Sequence, residues 1–111
     1  MATELAGRSC QPCHGGTPPL PAGQVEALLG QLEGWRVEGG KRLVKRFEFK
    51  NFVDAVAFVN KITPVAEAEG HHPDLEVGWG RVGVSLTTHA IGGLSENDFI
   101  LAAKIDRAFG G

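Results

Sequence analysis

Apolar residues recur along this chain with two periods. Val25, Leu28, Leu29 and Leu32 stand at i, i+3, i+4 and i+7, one stripe at helical spacing, and predict a helix over about Gln24 to Gln31, with Gly34 ending it. Trp35-Arg36-Val37-Glu38 then reads as a short strand and Gly39-Gly40 as a tight turn. In the strand predicted over Arg42 to Phe49 the period changes to two, with Leu43, Phe47 and Phe49 on one face and Arg42, Arg46 and Glu48 on the other. Lys45 falls on the apolar face, which predicts a face not sealed along its whole length. A second helix is predicted from Asn51, with Asn51 and Asp54 as an N-cap pair and Phe52, Val53, Val56, Val59 and Ile62 as its apolar positions. Pro64 should kink or break it, since proline lacks an N–H and clashes one turn back, and Gly70 is its natural stop.

Two further strands are predicted over about Leu75 to Trp79 and Arg81 to Thr88, the second alternating Val82, Val84 and Leu86 with Gly83, Ser85 and Thr87. The glycine-rich stretch Ala90 to Leu94 leads to a last helix carrying Phe99, Ala102, Ala103 and Ile105. Ser95-Glu96-Asn97-Asp98 reads as a capping box with Asp in the place of the usual Glu. The short turns make each strand pair an antiparallel hairpin. The order helix, two strands, helix, two strands, helix implies an α+β fold: a four-stranded antiparallel sheet with three helices on one face.

Composition narrows the classes. A length of 111 residues suits one domain, and 42% hydrophobic with 22% charged residues is ordinary for a soluble protein. A net charge of −2 gives no basic field for nucleic acid. No apolar run reaches the roughly 20 residues that cross a membrane, and no signal peptide is visible. A reducing cytoplasm is the expected setting, so the two cysteines are read as thiols. Residues 1–20, ending in the proline-dense Thr17-Pro18-Pro19-Leu20, are expected to be a flexible tail with no core contribution before Leu20; residues 21–111 form the domain.

Three of the four histidines, His71, His72 and His89, lie within nineteen residues. Imidazole both gives and takes protons near neutral pH. Antiparallel pairing returns the end of the last strand beside the start of the preceding one, so the His71-His72 segment and His89 can meet at one rim of the sheet. Glu67, one turn before His71, and Asp98, in the first turn of the last helix, could orient imidazoles. Against this stand a solvated histidine pair and an Asp98 that only caps its helix. Zinc on three histidines is a competing reading, disfavoured because neighbouring side chains in extended chain diverge. Cys10-Gln11-Pro12-Cys13-His14 has the letters of a c-type haem attachment site, but it has no export signal or pocket around it. A silent tail is favoured there over a metal, redox or haem role for Cys10, Cys13 and His14. No phosphate-cradling glycine loop is present, and alternation explains Phe47 and Phe49 as core.

Glu67, His71-His72-Pro73, Trp79, Thr88-His89, Gly92 to Leu94 and Asp98 together resemble the pterin-4a-carbinolamine dehydratase family, without a gap. Leu28 to Trp35, Phe47 to Phe58 and Asp98 to Asp106 look like the same family, so the likeness covers about residues 20–108. The resemblance implies three helices on a four-stranded antiparallel sheet, homodimers or homotetramers, and no metal or organic cofactor. It also implies the reaction, loss of water from a 4a-hydroxytetrahydropterin to give the quinonoid dihydropterin, with phenylalanine hydroxylation as the usual setting. On that reading His71, His72 and His89 are catalytic, His71 and His89 on the hydroxyl side and His72 holding the pterin and acting as base. Gly70, Thr87 and Thr88 would bind the pterin, Glu67 and Asp98 would orient histidines, and Trp79 would pack rather than stack. Some animal members of the family also stabilise a homeodomain transcription factor, which is an alternative of a different class.

Overall fold

The computed structural model describes residues 5–11 and 18–110. Pro12, Cys13 and His14 of the Cys-x-x-Cys-His motif lie outside the described residues. Helix α1 (Ala22–Leu29) is followed by β1 (Arg36–Glu38), β2 (Arg42–Glu48), helix α2 (Phe52–Glu69), β3 (Asp74–Gly78), β4 (Arg81–Leu86), a 3₁₀ turn (His89–Ile91) and helix α3 (Glu96–Gly110). The four strands form one antiparallel sheet in the order β1-β2-β4-β3, with the three helices on one face, as the residue pattern implies.

Each boundary has a local cause. The side chain of Asn51 accepts from the Asp54 N–H at 2.8 Å and starts α2. Gly70 ends it in the left-handed conformation at φ 64, where the Gly70 and His71 N–H groups return to Glu67 O and Ala66 O. Gly80, at φ 73, closes the β3–β4 hairpin so tightly that a Cβ there would sit 2.9 Å from Phe49 O. Pro64 does not break α2, which runs unbroken to Glu69. Buried Phe58 and Ile62 before Pro64, and Ala66 after it, hold both halves against the core, which outweighs the one hydrogen bond lost.

The core lies between sheet and helices. Leu43, Phe47, Val82, Val84 and Leu86 face Ala55, Phe58, Ile62, Phe99, Leu101 and Ile105. Lys45, on this face, does not leave it open. Its ammonium lies over Phe47, 4.8 Å from the ring centroid, and Nζ reaches Asp106 at 2.8 Å and Glu33 O at 2.9 Å. The other Asp106 oxygen takes the buried Trp35 indole N–H at 2.9 Å.

Two expectations are corrected. Leu5 and Ala6, 1% and 2% exposed, belong to the core, so the segment before Leu20 does contribute to it. An apolar pair inside a polar stretch carries no periodicity, and its burial comes from tertiary docking alone. Trp79 is 72% exposed and packs into no core, because it occupies the β3–β4 turn, beyond the last ladder pair Gly78–Arg81.

Candidate active site at the sheet rim

The β3–β4 ladder pairs Asp74 with Ser85. Continued past its end, this register sets His71 opposite Thr88. The ladder itself gives way to an isolated bridge between Thr88 and Gly93, and His89 opens a 3₁₀ turn instead of ending the strand. Gly92, left-handed at φ 69, turns the chain back so that the bridge can form.

Asp98 is the centre of the arrangement. Its carboxylate is completely buried and satisfied from three sides. Oδ1 meets His71 Nε2 at 2.6 Å, while Oδ2 accepts from the Thr88 hydroxyl at 2.9 Å and from the Ser95 N–H at 3.0 Å. The last contact is the reach-back of a capping box, completed by Ser95 Oγ accepting from the Asn97 N–H at 3.2 Å. Asp98 is therefore a helix cap and a histidine partner at once, one oxygen for each task. An ionised Asp98 can only accept, and with it Nε2 of His71 carries the hydrogen and Nδ1 has none.

A second pair lies further out. His72 Nε2 meets Glu67 Oε2 at 2.6 Å, with both side chains largely exposed. His71, by contrast, keeps only 13% of its side chain exposed. The two adjacent histidines thus engage different carboxylates from different elements. His89 is exposed, and among the described residues its side chain has no hydrogen-bond partner. The hydroxyls of both candidate threonines are engaged within the fold: Thr87 donates to Lys41 O at 2.7 Å, and Thr88 is held between Ser95 and Asp98.

A cavity of about 340 Å³ opens beside His71, lined by Gly70, His71, Thr88 and Ala90 of the rim and by Cys10, Gln11, Glu69 and Asn97. Gln11 and Asn97 were not legible as part of a site, and Cys10 was read only as part of the Cys-x-x-Cys-His alternative, not as a neighbour of His71. Asn97 reads in sequence as one more polar residue of a helix first turn, and nothing marks residues 10 and 11 as neighbours of residue 71. Burial and the nearby Glu69 carboxylate push the Cys10 thiol up to about 12, and the Cys10 N–H and the Lys104 ammonium hold Glu69 below the usual carboxylate range. Among the described residues no three His, Cys, Asp or Glu side chains are grouped to hold a metal ion.

An imidazole oriented by a buried carboxylate at the mouth of a cavity is equipment for proton transfer on a small molecule, set on an α+β scaffold. The family described as "Pterin 4 alpha carbinolamine dehydratase" matches residues 18–108, and the chain belongs to it. A Nitrosomonas eutropha protein carrying that dehydratase name is 53% identical over 104 residues, covering 93% of this chain and 91% of its own. One from Rubrobacter xylanophilus is 48% identical over 105 residues, covering 95% and 98%. The crystal structure of a Brucella melitensis protein described as a transcriptional coactivator/pterin dehydratase superposes with a TM-score of 0.77 at 32% identity, covering 81% of this chain and 97% of that one. A pterin dehydratase-like protein described as a RuBisCO assembly factor in the alpha-carboxysome gives 0.61 at 27% identity, covering 71% and 93%.

Proposed function

We propose that this chain dehydrates a 4a-hydroxytetrahydropterin to the quinonoid dihydropterin by histidine acid–base catalysis, returning the pterin of an aromatic amino acid hydroxylase to its cycle. The observation that carries the reading is the His71–Asp98 pair at 2.6 Å, set on the cavity in a chain of this family.

In the reaction the C4a–O bond breaks and the hydroxyl leaves with a proton as water. The N5 proton departs as its bond electrons form C4a=N5. One proton is given and one taken, and no electrons change hands, so the elimination itself calls for no redox or organic cofactor. His71, with Nε2 fixed by Asp98, presents Nδ1 to the ligand and can deliver or receive at that atom. We assign His71 and His89 to the hydroxyl side, and His72, held by Glu67, to the N5 proton. Because the Thr87 and Thr88 hydroxyls are engaged within the fold, the amide edge of the pterin would meet backbone groups near Gly70 and Thr88. Acid–base groups of this kind each contribute a factor of about 10² to 10⁴. Alanine at each of the three histidines in turn is the test; full activity in all three variants contradicts the assignment.

In this reading the protein works in the cytoplasm as a homo-oligomer. Support comes from the absence, among the described residues, of any helix long and apolar enough to cross a membrane. The unpaired edge of β3, with Val77 exposed, supports association of copies. Sizing in solution checks the association.

A further inference from the structure

Residues 5–11 lie against the domain as an arm. Leu5 and Ala6 anchor it in the core, and Arg8 pairs with Glu96. Its far end is clamped twice. The Cys10 N–H donates to Glu69 Oε1 at 2.8 Å. Asn97, only 6% exposed, then pairs with Gln11 as a neighbouring strand would, its Oδ1 accepting from the Gln11 N–H at 2.9 Å and its Nδ2 donating to Gln11 O at 2.5 Å. Both clamps are neighbours of the proton-transfer pair. Glu69 stands two residues before His71, and Asn97 immediately before Asp98. Cys10 and Gln11 line the same cavity as His71.

We propose that the Cys10–Gln11 arm is a wall of the ligand cavity and that Asn97 is the positioning residue that holds it there, so that ligand affinity depends on a segment outside the sheet and helices. The identity of the ligand as a pterin rests on the function proposed above; the wall itself rests on the geometry. Asn97 lines the cavity together with the arm it holds, its Oδ1 and Nδ2 both engaged by the Gln11 backbone. Its loss therefore weakens binding of ground state and transition state alike, which raises KM and leaves kcat in place. An arm that merely blocked the cavity would give the opposite sign.

The test uses the full-length chain with Cys13→Ser, so that Cys10 is its one thiol, with and without Asn97→Ala. Iodoacetamide labelling of Cys10 at neutral pH is followed with and without added 7,8-dihydrobiopterin, and KM and kcat for dehydration are measured separately. Circular dichroism confirms that the Asn97→Ala chain is folded. The proposal expects Asn97→Ala to speed labelling and raise KM, each by about tenfold, with kcat held within about twofold. It also expects 7,8-dihydrobiopterin to slow labelling when Asn97 is present. Faster labelling with KM unchanged or lowered overturns the proposal, as does labelling that 7,8-dihydrobiopterin leaves unaltered. A chain without dehydratase activity whose Cys10 is still protected by 7,8-dihydrobiopterin upholds the wall and removes the dehydratase reading.

Discussion

His71 and Asp98, twenty-seven residues apart in sequence, are joined by a 2.6 Å contact between an imidazole nitrogen and a fully buried carboxylate oxygen. The Schellman turn at Gly70 fixes the histidine at the end of α2, and the first turn of α3 fixes the carboxylate. One side chain thus couples the start of a helix to the orientation of an imidazole.

Asp98→Asn tests that coupling. The amide keeps the size but can turn an N–H toward Nε2, which favours the wrong tautomer. Loss of an orienting partner typically lowers activity about 10- to 100-fold. Weakening the capping contact to the Ser95 N–H adds a stability loss of about 1 kcal/mol. Steady-state kinetics and thermal unfolding of the same sample check both effects. Unchanged activity in a destabilised protein would reduce Asp98 to a cap.

Thr88→Val replaces a buried hydroxyl by a methyl of the same shape. It removes one donor from Asp98 Oδ2 and the acceptor of the Ser95 hydroxyl. Leaving buried polar groups unpaired costs about 1–3 kcal/mol. Denaturant unfolding should show a loss in this range, with a smaller fall in kcat than Asp98→Asn gives, because the His71 contact remains.

Asp106→Ala separates stability from activity. It strips the partner from the buried Trp35 indole and from Lys45, eight residues along α3 from Asp98. A loss of about 1–3 kcal/mol is expected, with kcat/KM unchanged once the protein is folded. A parallel loss of activity would tie the site to this network.

Arm docking should follow pH from two sides. Glu69 has its pKa lowered in the folded state from 4.5, so its contribution is present above that value and is lost as pH falls through the lowered one. Cys10 has its pKa raised from 9.0 to about 12, so the docked arm is favoured fully below pH 9.0, and that contribution is lost as pH rises toward about 12, because a released thiol ionises first. Protection of the arm against a nonspecific protease should be flat between these limits and fall outside them. Protection that peaks sharply at neutral pH would point to a histidine instead.

Most of the scaffold was readable because its signals are periodic or capped. The stripe Leu28–Leu32, the alternation Val82–Val84–Leu86, the Asn51 cap and the Gly70 stop each act within a few residues of themselves. The pairing of His71 with Asp98 and of His72 with Glu67 was approached through helix spacing and antiparallel register. The arm was not, because Leu5, Ala6 and Cys10 have no period and their places are set by α2 and α3. Lys45 looked like a gap in the apolar face, since its partner Asp106 lies sixty-one residues away. Pro64 looked like a break, since a local rule cannot weigh the burial of Ile62 and Ala66 on either side.

The most direct measurement of the central claim is the dehydration of chemically generated 4a-hydroxytetrahydropterin, followed by ultraviolet absorbance, with the intact chain and with His71→Ala, each with and without a chelator. The account predicts acceleration by the intact chain that survives the chelator and falls by about 10² or more in His71→Ala. A folded protein that gives no acceleration, or whose acceleration is lost with the chelator or kept in His71→Ala, would contradict it.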